Sequence, residues 1–282
     1  MRRWWAATVL VALAATAAGC DGGSPPERAA STFAPEAGVC HATASDDRSP
    51  EAYVPIACSA KHEAETIMVG RFGGANAAAS APPAADTEGL WQAYASCDTA
   101  AHDFLAGEWR ESRLAMRVLT PSAARWTAGE RWYRCDLVEM VALDRWTPNP
   151  RANSLRGALA GESPLRLGCY VRPELTEERV NIPPASCTGP HDTEFVGAWR
   201  AEPEAGDLTD EDIRAGCLTV VARYVGAPER ELRGRLEALP VFSLEPEWEA
   251  GLPGAWCFLH TPGGSLDASL KGVGRGGLPP AR

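Results

Sequence analysis

The chain has 282 residues, 45% hydrophobic and 23% charged, with a formal net charge of -10. That balance excludes a disordered polymer. Scattered arginines and only two lysines, Lys61 and Lys271, exclude the basic stripe of a nucleic-acid binder.

The first element is an address. MRR precedes an apolar run from Trp4 to Ala18. That run is shorter than the roughly 20 residues of a membrane span and has the layout of a signal peptide over residues 1–19. TAAGC, ending at Cys20, resembles a bacterial lipobox, with Ala17 where Leu is usual. It implies cleavage before Cys20 and thioether lipidation of that residue, with residues 20–36 as a lipid-anchored tether. The other eight of the nine cysteines are then even in number and read as disulfides in an exported chain.

Those eight repeat. Cys40, Cys58, His62 and Glu65 recur as Cys169, Cys187, His191 and Glu194, all at an offset of 129. Trp126, Gly129 and Cys135 recur as Trp248, Gly251 and Cys257, all at 122. Two tandem copies of a small domain follow, over residues 37–147 and 164–262, with a linker at 148–163 and a disordered tail at 263–282. The low-complexity stretch 73–86 is a loop that only the first copy carries.

Each copy begins with a short strand, GVCHAT or LGCYV. A second extended segment follows, YVPIAC or VNIPPASC, whose prolines favour a sheet edge. The third strand is AETIMVGRF or TEFVGAWR. A helix comes next: Leu90, Tyr94, Cys97, Ala101, Phe104 and Leu105 recur at steps of three and four, as do Ile213, Cys217, Val220, Val221, Tyr224 and Val225. Thr209 before three acids reads as an N-cap. Two strands close each copy, giving an α+β fold of order βββαββ. Eight cysteines allow 105 pairings. With pairing confined to a copy and alike in both, three remain. The preferred one joins Cys40 to Cys58 and Cys97 to Cys135, then Cys169 to Cys187 and Cys217 to Cys257. It staples adjacent strands and pins the helix to the last strand.

The repeated C-x3-H-[DE]-x-E motif is the candidate site. His62, Glu63 and Glu65, matched by His191, Asp192 and Glu194, offer an imidazole and carboxylates. Against a metal, H-E-x-x-H is absent, no second histidine repeats nearby, and on one strand His62 and Glu65 would face opposite sides. The expectation is therefore structural, with hydrogen bonds to backbone after the cysteine turn. His62, Glu65, His191 and Glu194 are kept as candidate binding residues; no metal, cofactor or catalytic residue is expected. G-x-S-x-G and S-x-x-K do not occur. His41, His102 and His260 do not repeat and read as surface residues. Trp126 and Trp248 read as packing at a turn, whereas Trp109, Trp132, Trp146 and Trp199 are candidates to line a surface.

The early cysteine, C-x3-H-[DE]-x-E, the cysteine-bearing helix and W-x2-G-x5-C together resemble the septum-formation family of actinobacterial exported proteins. Arg131, just before the first copy's last strand, has no basic counterpart in GLPGAWC. The resemblance implies an envelope location and a role in division or wall assembly, and supplies no catalytic residues. The leading expectation is a non-enzymatic lipoprotein on the outer face of the cytoplasmic membrane. Its tandem domains would bind an envelope protein or cell-wall polymer, with the membrane reached through Cys20 and no nucleic acid involved. The alternatives are an envelope enzyme with a metal-dependent site at the His/acid motif, and a structural spacer.

Overall fold

The computed structural model describes residues 33–85, 87–141, 146–171, 184–201, 208–242 and 254–281. The signal peptide, Cys20 and most of the tether lie outside the described residues, as do Trp248 and Gly251.

In the first half, β1 (Val39–His41), β2 (Pro55–Ile56) and β3 (Ala64–Arg71) precede a short α1 (Gly74–Ala78) and the long α2 (Glu88–Leu105). A 3-10 turn at Trp109–Glu111 leads to β4 (Leu114–Leu119), α3 (Ala123–Thr127) and β5 (Trp132–Glu139). The second half runs β6 (Cys169–Tyr170), β7 (Pro184–Ala185), β8 (Thr193–Arg200), α4 (Asp210–Val225), α5 (Glu229–Leu232), β9 (Glu237–Phe242) and β10 (Gly254–His260). Each half builds a five-stranded antiparallel sheet, in the orders β2-β1-β3-β5-β4 and β7-β6-β8-β10-β9. The proline-bearing strands β2 and β7 fall at sheet edges, where a missing N–H breaks no ladder.

The helices form where apolar spacing demands it. Tyr94, Cys97, Ala101, Phe104 and Leu105 of α2 pack on Leu114, Met116 and Leu137. Ile213, Cys217, Val220 and Val221 of α4 pack on Ala255 and Leu259. Thr209 and Asp212 form a reciprocal capping box at the start of α4. Both helices end in a left-handed residue, Ala106 (φ 56°) and Gly226 (φ 78°). Four disulfides join Cys40–Cys58, Cys97–Cys135, Cys169–Cys187 and Cys217–Cys257. They tie the first strand to the turn after the second, and the helix to the last strand, in each half.

Several expectations are corrected. The segment read as a linker is part of the first core, with Leu155 and Leu159 each 1% exposed. The segment read as a disordered tail is ordered through residue 281 and buries Leu266 and Leu270 in the second core. Apolar residues too sparse to show a period are enough to seat an irregular segment when backbone groups also find partners. The stretch read as a loop is also packed within its described residues 73–85: Ala79 O accepts from Trp126 Nε1 at 2.7 Å, and Phe72 lies against the same indole. Trp109 and Trp132, 1% and 2% exposed, line the interior and not a surface. Trp146 is exposed.

Residues from 33 onward belong to one compact unit. Backbone bonds tie the segment that leads into β6 to the first half: Arg113 N donates to Leu165 O at 2.8 Å and Leu167 N to Glu111 O at 2.9 Å. The buried Trp256 Nε1 reaches across to Arg110 O at 2.8 Å.

Candidate functional site

His62 lies before β3 and not on it. It pairs with Arg151 in an isolated antiparallel bridge, with both N–H···O bonds made. The expectation that His62 and Glu65 point apart is therefore corrected, because strand alternation does not apply across the turn. One donor atom each of Cys40, His62 and Glu65 lies within 4.8 Å of the others. The ring Nδ1–H donates to Ala60 O at 2.8 Å, in the turn after Cys58. Glu65 is 2% exposed. Its Oε1 accepts from Ser154 Oγ at 2.6 Å and its Oε2 from Leu155 N at 2.7 Å. A carboxylate in the core is tolerated because it receives donors there.

The second half repeats this arrangement. His191 bridges Leu266, and its Nδ1–H donates to Gly189 O at 2.7 Å. Glu194 accepts from Leu270 N at 2.9 Å and Ser269 Oγ at 2.8 Å. Two further donors have no counterpart in the first half: Tyr224 Oη at 2.9 Å and His191 Nε2 at 3.1 Å. Burial pushes the Tyr224 hydroxyl up to about 12, with the neighbouring Glu194 charge acting in the same direction and the Ser269 hydrogen bond opposing it.

Serine and leucine at these anchors come from the segments taken for linker and tail. Sequence reasoning missed them, although a signal was present. Ser154-Leu155-Arg156-Gly157 recurs as Ser269-Leu270-Lys271-Gly272 at an offset of 115. Gly157 and Gly272 even share a left-handed backbone, φ 68° and 70°, which explains a glycine at both.

The sheet faces turned away from the long helices differ between halves. In the first, His41 Nε2–H donates to Thr66 Oγ1 at 2.9 Å, and Thr66 donates to Asp136 Oδ1 at 2.7 Å. Arg134 pairs with Asp136 at 3.0 Å and lies over the Tyr53 ring. Arg117 donates to Ala44 O at 3.2 Å and to Asp46, with Trp146 against its guanidinium. His41 is 6% exposed, which corrects its reading as a surface residue. Burial, more than any neighbour, pulls its pKa below the ordinary 6.5; Asp136 opposes this, and Arg134 and His62 add to it. Register shows what replaced the polar set. Asp136 stands between Thr66 and Arg117, and Phe258 stands between Phe195 and Leu239. Tyr170, Phe195 and Phe258 pack edge to face where the first half has its histidine, threonine and aspartate.

Cys40, His62 and Glu65, and likewise Cys169, His191 and Glu194, are the groups among the described residues that could hold a metal ion. As they stand, both sulfurs are in disulfides and offer no thiolate. His102 is exposed and His260 half-buried, bonded to Asp192 O at 3.2 Å; neither joins these clusters.

No curated protein and no solved structure matches the chain. A family model described as "Septum formation" matches residues 37–257. That span takes in the first sheet, the second sheet as far as Cys257 in β10, both long helices, all four disulfides and the first of the two serine–leucine anchors, and it shows that the chain belongs to the septum-formation family.

Proposed function

We propose that this chain is a non-enzymatic lipoprotein of the cell envelope, whose two tandem domains bind an envelope protein or a wall polymer during septum formation or wall assembly. The observation that carries this reading is the septum-formation match extending over a four-disulfide body. Disulfides persist in oxidising compartments, which supports an exported chain, and the lipobox-like TAAGC supports lipid at Cys20 on the outer face of the cytoplasmic membrane. The diverged sheet faces support a division of labour. The polar set of the first half is itself buried, with Arg117 4% exposed; the exposed Asp46 and Trp146 that bracket it offer the recognition surface. The aromatic positions of the second serve packing. Two linked domains also raise avidity when both engage one partner.

The test is localisation of an export-competent fluorescent fusion in dividing cells, beside its Cys20→Ala form. Septal enrichment of the parent, with release of the variant from the membrane fraction, is the expected result. A uniform envelope signal would overturn a dedicated division role, and membrane retention of Cys20→Ala would overturn the lipid anchor.

A further inference from the structure

The proposed function makes no use of one buried atom, Nε2 of His62. The residue is 1% exposed. Its Nδ1–H is committed to Ala60 O, so in the neutral ring Nε2 carries the lone pair, and among the described residues it has no hydrogen-bond partner. An imidazole whose other nitrogen donates to a backbone carbonyl has the tautomer and fixed orientation of a metal ligand. Donor atoms of Cys40, His62 and Glu65 lie within 4.8 Å of one another, and Cys58 Sγ lies 3.8 Å from Glu65 Oε1. A tetrahedral zinc-class site with bonds of about 2.0–2.3 Å separates its ligands by about 3.6 Å, so Cys40, His62 and Glu65 need to close by about 1 Å while the two bonded sulfurs part to a similar separation.

We propose that reduction of the Cys40–Cys58 disulfide converts this cluster into a divalent-metal site with two thiolates, His62 Nε2 and one Glu65 oxygen as ligands. That donor set suits a zinc-class ion. A dithiol reductant supplies two electrons and two protons to the disulfide and is itself oxidised to a disulfide. The metal then displaces the two thiol protons, which leave to solvent. Attack is directed at Cys58, which is half-buried, and the equally half-buried Cys187 opens the Cys169–Cys187 bond under the same conditions. The sulfurs of Cys97–Cys135 and Cys217–Cys257 belong to residues 0% exposed and stay closed under mild reduction.

The second half serves as the comparison inside the same molecule. There His191 Nε2 is already bonded to Glu194, and Tyr224 and Ser269 fill the other carboxylate oxygen. Phe104 occupies the Tyr224 position of the first half and donates nothing, which leaves Glu65 with free lone pairs. The site is therefore assigned to the first half alone.

The experiment titrates Co2+ into the full chain after anaerobic treatment with a mild dithiol, and into a Cys58→Ser form that keeps Cys40 as a free thiol without any reductant. Thiolate-to-cobalt charge-transfer absorption reports the site, and near-ultraviolet circular dichroism reports the fold. One cobalt per chain is expected in the reduced parent, a weaker one-thiolate band in the Cys58→Ser form, and no band in the oxidised parent. His62→Gln should abolish the band and His191→Gln should leave it. A folded reduced chain or folded Cys58→Ser form without the band overturns the proposal. So does a band indifferent to His62→Gln, or one lost equally with His191→Gln. If neither form keeps its fold, the metal-binding state does not exist and the proposal falls with it.

Discussion

Glu65 and Glu194 hold the same place in their halves under different loads. Glu65 satisfies two donors, Ser154 Oγ and Leu155 N–H, whereas Glu194 satisfies four. Each buried donor left unpaired costs about 1–3 kcal/mol. Glu65→Ala should therefore lose about 3 kcal/mol of stability and Glu194→Ala clearly more, read as shifts of the urea midpoint at constant slope. Equal losses would mean that the Tyr224 and His191 bonds contribute nothing. His41 yields a prediction in pH. Its folded pKa lies below the ordinary 6.5, so below that value the unfolded chain binds more protons than the folded one. Stability is then complete above about 6.5 and falls as pH drops through the folded value. His41→Gln, which keeps a donor toward Thr66, should flatten the stability slope between pH 6.5 and 5. An unchanged slope would place the acid sensitivity elsewhere.

Among the elements, the ends of the two long helices differ by one residue type. Ala106 holds φ 56° where the second half has Gly226 at φ 78°. A left-handed Cβ costs about 1 kcal/mol, so Ala106→Gly should raise the first half's stability by about that amount, measurable as a higher midpoint. The serine–leucine anchors are tested through Leu155 and Leu270, 1% and 5% exposed. Alanine at either should cost about 2–5 kcal/mol, whereas a free linker or tail would lose nothing. Strands, helices and cysteine pairing were legible because each carries a period or a rigid offset: alternation in β3, three-four spacing in α2 and α4, equal steps between cysteines. The anchor segments carry neither. Their burial depends on Glu65 and Glu194, whose separation from the anchors of 89 and 75 residues no local pattern encodes. The His62–Glu65 contact was hidden for a related reason. Strand alternation was extended through a turn where the backbone changes direction.

For the molecule as a whole, the two sheets are held together by the pairing around Ser112 and Arg166, by the Arg166–Glu111 ion pair at 3.1 Å and by the indole of Trp256 on Arg110 O. An exposed ion pair adds little; the buried indole bond and the backbone pairing matter more. The body should unfold in one cooperative transition, with calorimetric and van't Hoff enthalpies in agreement. Trp256→Phe should lower the midpoint and broaden the transition as the halves begin to separate. Two resolved transitions in the parent would show that the halves are energetically independent. That backbone bonds tie the segment leading into β6 to the first half was not legible in the sequence, because a repeat looks the same whether its copies touch or hang apart.

The docking of Ser269 and Leu270 beside Glu194 also sets a timetable. A chain delivered from its N-terminus can close its first half once Leu165 has emerged. The second waits for Leu270, more than a hundred residues later, with its carboxylate and apolar pocket open until then. That interval is when a chaperone or a protease has most to grip. A premature stop between the last β10 residue and the second anchor would leave every disulfide possible and one half still unlatched.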